Sequence, residues 1–378
     1  FSAEPIGMRW VSPSRSGGSG GSYLIRPANA GVQRSRQPHD HARLERAAFH
    51  RLSTGVVVGW MGGQRGFVDR ADLVRSIAAA QDGLITRAQA QKAGFSRHDI
   101  DHLVAVGRWW PLARAVYLTH GRCGAPPARR CRIRAALLSL GPHAHAVFGT
   151  AAELHGIAGL PRRDEIHVGL PGRAAKLARL SDPAIVLHQL ERDPRVVVQV
   201  DGVAATEPRL TVAEIILRER RYAAVSVLDS ALNRGLLTPK CLATIPALIR
   251  GRRGAVAARV YLAEADGRAQ SPLETRSRLR CIDGRVPPDT LQLEVRDDDG
   301  YLLGIGDLGW RGPRVIAEAD GRDAHATPQA VFADRRRQNR LVNAGWTVLR
   351  FTWQDTLLPD YIPHTVRQAI AAAHSRRS

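Results

Sequence analysis

Lysine is almost absent from this sequence. The chain carries 55 basic residues against 35 acidic ones, a net charge of +20, yet only Lys92, Lys176 and Lys240 are lysine. This shortage excludes a catalytic lysine from everything that follows Lys240. A chain this basic usually binds a polyanion, and DNA is the first partner to expect. A GC-rich genome also replaces lysine by arginine, so the arginine content alone does not establish phosphate binding.

Cysteine is scarce as well, and long apolar runs are missing. The four cysteines, Cys123, Cys131, Cys241 and Cys281, form no CxxC pair and have no histidine at zinc-finger spacing. This pattern argues against a zinc finger and predicts a reduced, cytoplasmic protein. No run approaches the ~18 apolar residues that cross a bilayer, and there is no signal-peptide pattern. We therefore expect no membrane partner.

What is present is enough sequence for two or three domains with real cores, since the chain has 378 residues of which 44% are hydrophobic. Residues 1–64 are an exception, because they contain Ser/Gly/Arg clusters such as SRSGGSGGS and little periodic apolar pattern. We expect this segment to be disordered, or to be an extension foreign to the natural protein, since Met61 stands just before the organised sequence.

Residues 65–122 contain three short helical patterns followed by a hairpin-like piece. The first helix is ADLVRSIAAA, Thr86 caps the second, and Ser96 caps the third, RHDIDHLVAV. The stretch RWWPLARAVYLT then supplies a β-wing. Three helices and a wing predict a winged helix-turn-helix domain, in which the third helix enters the major groove of DNA.

The third helix of this domain has a polar side and an apolar side. The residues expected on its exposed side are Arg97, His98, Asp101 and His102. Those expected to face the core are Ile100, Leu103 and Val104. Arg108 is placed to reach a phosphate from the wing, while Trp109 and Trp110 are expected to pack. The alternative is that these polar residues only solvate a small helical domain.

Residues 123–267 alternate between helical and strand patterns, which favours an α+β linking domain. Helical stretches are RIRAALLSL, LTVAEIILRER and AAVSVLDSALNRG, and strands are expected in IHVGLP, AIVLHQL and VVVQVDGVAAT. We expect His155 and His167 to be packed or hydrogen-bonded in apolar surroundings. Ala/Arg-rich helices then lead into the last domain.

Residues 268–378 follow the order helix, three strands, helix, strand, helix. Ser271 caps the first helix, which is expected to reach Leu279, and Glu274 falls at the capping-box position. Strands are predicted at 291–295, 301–310, 314–320 and 346–352, and a helix at 328–344 that ends at Gly345. The whole chain is therefore predicted to be an α+β multidomain protein.

Three acidic residues of these strands are placed to meet. Glu318 and Asp320 are alternate residues of one strand, so they point the same way, about 7 Å apart along the chain. Asp307 comes from the preceding strand, and antiparallel pairing would bring it to the same edge of the sheet. Converging carboxylates of this kind suit Mg²⁺ or Mn²⁺, whereas zinc lacks its Cys/His cluster. The acids could alternatively end strands or start turns.

A histidine and a run of arginines complete the candidate site. His325 follows Asp320 closely enough to act as a general base or a proton donor. The arginine run consists of Arg335, Arg336, Arg337 and Arg340. These side chains would contact phosphate, or would form a solvated helix face. Glu274 either belongs to the site or only completes its capping box.

The motifs SPLETRSRL, GDLGW, EADGRDAH, DRRRQNRL and AGWTVLRFTW resemble the endonuclease-like domain related to very-short-patch repair (Vsr) nucleases, within the PD-(D/E)XK superfamily. The resemblance covers residues 271–374 and implies a restriction-endonuclease-like αβββαβα fold. It also implies metal binding by Asp307 and Glu318, with Glu274 as the acid of the first helix. Asp320 occupies the position of the superfamily's lysine, so His325 is the residue left to take over that role.

The stretch GLITRAQAQKAGFSRHDIDHLVAVGRWWPLARAVYLT resembles the N-terminal domain of AbiEi-type antitoxins of type IV toxin–antitoxin systems. This resemblance implies a winged-helix DNA binder used for autorepression. The middle of the chain is similar to the same proteins. A cognate toxin, or a second copy of the chain, is the further partner that the resemblance suggests.

Two functions follow from these features. The first is a DNA-binding protein with a Mg²⁺-dependent or Mn²⁺-dependent endonuclease domain, for which the site residues are Glu274, Asp307, Glu318, Asp320 and His325. The second is an antitoxin-like transcriptional regulator whose nuclease-like domain is inactive. The set Asp307, Glu318 and His325 favours the enzyme, and the missing lysine favours the regulator. Charge alone also allows an RNA-processing nuclease.

Overall fold

Three β-sheets with flanking helices make up the described part of the chain, which confirms the mixed α+β class predicted from the sequence. The computed structural model describes residues 69–120, 127–172, 184–190, 193–321 and 328–376. The prediction of disorder for residues 1–64 and the candidate His325 both lie outside these ranges. Within them, no helix has the length and apolar character that a membrane crossing needs.

The first unit has three helices and a small antiparallel sheet of order β1-β3-β2. Both predicted caps are confirmed, because the Thr86 and Ser96 side chains each accept a hydrogen bond from the backbone three residues on, and each helix closes a capping box. The elements are α1 (Arg70–Ala79), β1 (Leu84–Thr86), α2 (Arg87–Lys92), α3 (Arg97–Ala105), β2 (Trp110–Ala113) and β3 (Val116–Leu118).

The burial pattern of this unit follows the predicted faces of α3, with one correction. Ile100 is fully buried, and the exposed residues of α3 include Arg97, His98, Asp101 and His102. Trp109 packs between Phe95 and Tyr117 as expected. Trp110, however, is 51% exposed. It begins β2, and strand alternation turns it away from the core that holds its neighbour.

The middle unit is built on a five-stranded mixed sheet of order β6-β5-β4-β8-β7. Its sheet elements and first helices are α4 (Arg129–Leu140), β4 (His145–Ala146), α5 (Phe148–Leu154), β5 (Ile166–Leu170), β6 (Ile185–Gln189), β7 (Val197–Val200) and β8 (Val203–Thr206). Four helices follow: α6 (Pro208–Ile216), α7 (Arg221–Asn233), α8 (Pro239–Leu248) and α9 (Ala255–Ala263). His155 is hydrogen-bonded as expected, because its Nε2 lies 2.7 Å from the Thr206 carbonyl oxygen.

The last unit has the predicted order of helix, three strands, helix, strand and helix. Its sheet has the order β12-β11-β10-β9, in which only the β11–β12 pair is parallel. The elements are α10 (Pro272–Asp283), β9 (Thr290–Arg296), β10 (Leu302–Trp310), β11 (Val315–Ala319), α11 (Pro328–Asn343), β12 (Thr347–Phe351) and α12 (Tyr361–Ser375). The first helix is one turn longer than predicted, since nothing before Gly284 breaks it.

Two arginine–aspartate pairs, each with a buried arginine, join the three units. Arg134 of α4 donates to Asp82 at 2.7 Å and to the Asp201 carbonyl oxygen at 2.8 Å, which links the first unit to the middle one. Arg278 of α10 donates to Asp229 of α7 at 2.9 Å, which links the middle unit to the last one. Because an unpaired buried charge is costly, these pairs oppose separation of the units.

Candidate functional site

Asp307 and Glu318 lie side by side on adjacent strands. The antiparallel register pairs Leu308 with Ala317, and its continuation sets Asp307 opposite Glu318. One oxygen of Asp307 accepts a hydrogen bond of 2.7 Å from the Ala319 backbone N–H. Glu318 is 9% exposed, and Asp307 is half-buried. The two carboxylates that the sequence assigned to one sheet edge therefore reach the same place.

Gln292 of β9 connects this pair to the first helix of the unit. Its side-chain amide donates to Glu274 at 2.9 Å and to Asp307 at 3.3 Å. The backbone of Gln292 has φ of +51°, a value unusual outside glycine. Its neighbours Leu291 and Leu293 consequently pack into different cores on the two sides of the sheet. This break in alternation directs the amide of Gln292 at both acids.

Glu274 is a buried carboxylate that does more than cap its helix. Its backbone N–H donates to the Ser271 hydroxyl at 3.2 Å, as a cap requires, but its carboxylate accepts from the Gln270 backbone N–H at 2.9 Å and from Gln292. Burial raises the pKa of this carboxyl above its usual value, and the charge of Asp307 adds to the effect. The predicted capping box is therefore only half formed. The Glu274 carboxylate accepts a hydrogen bond from the backbone N–H of Gln270 and not from the backbone N–H of Ser271.

Glu318 is held by two arginines in a closed ring of four charges. Arg337 contacts both of its oxygens, at 2.7 and 3.0 Å, and Arg350 approaches it at 3.3 Å. Asp334 completes the ring, with Arg337 at 2.8 Å and Arg350 at 2.5 Å. Burial acts to raise the pKa of Asp334, but hydrogen bonds from the two arginines outweigh it and hold that pKa below its usual range. We call these four residues the charge ring.

The charge ring has a simple geometric origin. Arg350 pairs with Glu318 across the parallel strands β11 and β12, so the two side chains share one face of the sheet. Asp334 and Arg337 are three residues apart on α11 and therefore lie on one side of that helix. The helix packs on this same face of the sheet through Leu341.

These groups surround a cleft of about 1070 Å³. Asp320 also lines it, but the strand ends at Ala319, before the predicted end, and Asp320 is exposed. All the described members of the predicted catalytic set thus border one cleft: Glu274, Asp307, Glu318 and Asp320. Within the described ranges, however, no three acidic, histidine or cysteine side chains are grouped closely enough to hold a metal ion.

The donor set fits a hard divalent cation. Mg²⁺ is usually held by one or two carboxylates together with water, and Asp307 and Glu318 supply two carboxylates on neighbouring strands. Both oxygens of Glu318, however, already accept hydrogen bonds from Arg337. A metal ion bound by both acids would therefore share Glu318 with Arg337, and the positive charges of the ion and the guanidinium would oppose each other.

The predicted DNA contacts fall into two groups. Arg97, His98, His102 and Arg108 are exposed on α3 and at the start of the wing. Arg335 and Arg336 are likewise exposed on α11, whereas Arg337, from the same run, belongs to the charge ring. Sequence reasoning missed Gln292, Asp334 and Arg350. Only the spacing of Asp334 and Arg337 on one helix could have indicated a pair.

Comparison with known proteins places the chain in a family. No family model matches it. The uncharacterized proteins Rv2248 (strain H37Rv) and MT2308 (strain CDC 1551) of Mycobacterium tuberculosis are each 33% identical over 224 residues, which is 59% of this chain and 80% of each relative. The molecule is thus a mixed α+β chain with an acidic cleft in its last unit. It belongs to the same family as these two mycobacterial proteins.

A solved structure, that of the RV2827C protein from Mycobacterium tuberculosis, is also similar. It covers 65% of this chain and 95% of its own, with 15% sequence identity and a TM-score of 0.37. A likeness at this level does not define a shared fold.

Proposed function

We propose that this chain is a DNA-binding protein whose last unit is a divalent-cation-dependent endonuclease. The observation that carries the proposal is that the acids Glu274, Asp307 and Glu318 line one cleft. Glu274, Gln292 and Asp307 are joined by hydrogen bonds, and Asp307 lies opposite Glu318. Several carboxylates brought to one cleft are costly unless they serve a cation.

The order of elements supports the proposal. The last unit has the helix–three-strand–helix–strand–helix order that its resemblance to Vsr-like nucleases implies. The first unit has three helices and a three-stranded sheet, as a winged helix does. We propose that α3 enters the major groove, where Arg97, His98 and His102 face the bases and Arg108 contacts phosphate.

In the proposed mechanism, the side chains of this unit position the reactants. A Mg²⁺ or Mn²⁺ ion held by Asp307 and Glu318 would activate water and polarise the phosphate. Gln292 and the Ala319 N–H fix the two oxygens of Asp307, so this carboxylate is oriented in advance. Exposed Arg335 and Arg336 would bind the flanking DNA backbone. His325 is the proposed proton donor or acceptor, and Asp320 is an additional acid at the rim of the cleft.

The charge ring favours one alternative. Since Arg337 and Arg350 occupy Glu318, the cleft could be an inert remnant in an antitoxin-like transcriptional regulator. Such a protein would bind its own promoter, with a cognate toxin or a second copy as its partner. The cytoplasm is the proposed location for either function, because both act on DNA.

The two functions are separated by a cleavage assay on supercoiled plasmid with Mg²⁺, Mn²⁺ or EDTA. We expect the wild-type chain to nick or linearise the plasmid with either metal and to leave it intact in EDTA. Asp307→Asn should bind DNA equally well and cut it at least ~100-fold more slowly, since one metal ligand is lost. Binding without cutting under every condition would establish the regulator, and equal cutting by both proteins would place the activity outside this cleft.

A further inference from the structure

The charges of the charge ring cancel. The ring contains two carboxylates and two guanidinium groups, and each acid contacts both arginines. The grip of Arg337 on Glu318 is two-pronged, at 2.7 and 3.0 Å, which is the geometry in which a guanidinium binds a carboxylate best. The Glu318 side chain is only 11% exposed, so water does little to screen this contact. Without metal or DNA, the Arg337 guanidinium is therefore the cation that neutralises the Glu318 carboxylate.

A divalent cation at Glu318 changes this balance. The incoming ion binds a carboxylate that Arg337 already contacts through both oxygens, and the charge of the ion repels both guanidinium groups. Arg350 can keep Asp334, which it contacts at 2.5 Å. Arg337 keeps only a single acidic contact, with Asp334 at 2.8 Å, while it still lines the cleft. The two-pronged guanidinium then needs another anion of similar shape, and a phosphate group has that shape.

We infer that Arg337 is a positioning residue that exchanges Glu318 for a DNA phosphate when a divalent cation binds. This inference rests on the proposed nuclease function. Its consequence is that metal and DNA assist each other, because each relieves the charge imbalance that the other creates. Asp320 occupies the position at which the resemblance to PD-(D/E)XK nucleases would place a lysine. Arg337 of α11 supplies a positive charge beside Glu318 instead.

The test measures Mn²⁺ binding to the full chain by titration calorimetry, in the absence of DNA. Arg337→Gln removes the competing charge, so we expect Mn²⁺ to bind about tenfold more tightly than to the wild type. Damage to the fold would weaken metal binding, and tightening is therefore specific to competition. The matched control is Arg296→Gln, which breaks another arginine–glutamate pair in the same sheet, 2.8 Å long and not among the residues that line the cleft. It should bind Mn²⁺ as the wild type does.

A second measurement tests the exchange itself. A nuclease-resistant phosphorothioate duplex should tighten Mn²⁺ binding to the wild type about tenfold, and should tighten it far less for Arg337→Gln. Should Arg337→Gln fail to fold, Arg337→Lys replaces it. Lysine keeps the charge and loses the two-pronged contact, so its Mn²⁺ affinity without DNA should lie above that of the wild type.

The outcomes separate this inference from the proposed function. Equal Mn²⁺ affinity in the wild type and the Arg337 variants, with binding abolished by Glu318→Gln, would overturn the role of Arg337 and leave the metal site intact. Mn²⁺ binding by none of the proteins would overturn the metal site and the nuclease function together. Tighter binding by Arg337→Gln and a DNA effect confined to the wild type would support the exchange.

Discussion

The arginines of the first unit and those of the last unit are held in opposite ways. On the first unit, Arg97 and Arg108 are exposed, and neither makes an ion pair with any residue that the structure describes. In the cleft of the last unit, Arg337 and Arg350 are each paired with two acids. The same residue type is therefore available to a polyanion in the first unit and already paired with acids in the last unit.

Under the proposed function, this difference would assign the capture of DNA to the first unit and its cleavage to the last unit. Unpaired arginines bind phosphates by releasing counterions, so the first unit should bind DNA without any metal and with strong salt dependence. In the cleft, Arg337 and Arg350 can bind a phosphate only after another cation has replaced them at Glu318 or Asp334. A net charge of +20 consequently says little about where DNA binds, since the pairing of each arginine decides that.

The largest expected effect is on the free energy of unfolding. It concerns the buried pair of Arg278 with Asp229, whose arginine is even less accessible than those of the cleft. Asp229 is 1% exposed and holds Arg278 at 2.9 Å. Arg278→Ala would leave that carboxylate buried without its cation, and we expect the free energy of unfolding to fall by about 3–5 kcal/mol. Urea denaturation measures this loss. Arg296→Ala, at an exposed pair, should lower the same free energy by less than about 1 kcal/mol, and equal losses would refute the distinction.

Glu318→Gln removes one acidic partner from Arg337 and Arg350, which makes them more available to DNA, as the arginines of the first unit are. Cleavage should fall on the order of 100-fold because a metal ligand is lost, which corresponds to about 2.7 kcal/mol of transition-state stabilisation. DNA affinity should rise about two- to threefold at low salt, since Arg337 and Arg350 keep only Asp334 as a partner. Plasmid nicking and fluorescence anisotropy with a labelled duplex measure the two effects. A fall in both quantities would indicate general damage to the site.

Arg97→Ala combined with Arg108→Ala removes the unpaired charges. The duplex affinity should fall about tenfold, and the slope of log affinity against log salt should become shallower by about 1, because the lost phosphate contact of Arg108 contributes about 0.9. Arg75→Ala is the control, since Arg75 lies on α1 of the same unit and is paired with Asp72. An unchanged slope in the double variant would assign DNA binding to another surface.

The smallest expected effect is on the pH dependence of stability, and it concerns His167 of the middle unit. Burial lowers the pKa of His167, which lies 3.0 Å from the His188 ring nitrogen. The unfolded chain therefore binds a proton more readily, so this group's contribution to stability is complete above its ordinary pKa of about 6.5 and is lost as pH falls below it. The free energy of unfolding should drop between pH 7.5 and 5.5 by more in the wild type than in His167→Gln. Parallel pH profiles would contradict this.

Local sequence signals predicted the elements well, because their causes lie within a few residues. The caps at Thr86, Ser96 and Ser271 each depend on a side chain and a backbone N–H three positions away. The order of elements along the last unit followed from its turn residues and from the helix that separates β11 from β12. The acids Asp307 and Glu318 could be brought together because they lie on consecutive strands.

The rest of the site depended on contacts between distant residues. Arg350 meets Glu318 only through the parallel pairing of β11 with β12, which a sequence pattern does not set in register. Gln292 lies in an alternating run, LQLEV, that predicts a regular strand, and its φ of +51° has no local signature. Trp110 was expected to pack because tryptophan usually does, but its place at the start of β2 left it exposed.

The order in which DNA and metal act is the most direct test of this account. The full chain is bound to supercoiled plasmid in metal-free buffer, Mn²⁺ is then added, and the plasmid is followed on a gel. We predict that the plasmid is bound and intact before the addition, is cut after it, and is left intact after it by Asp307→Asn. Cutting before Mn²⁺ is added, or equal cutting by Asp307→Asn, would contradict the assignment of a metal-dependent nuclease to this cleft.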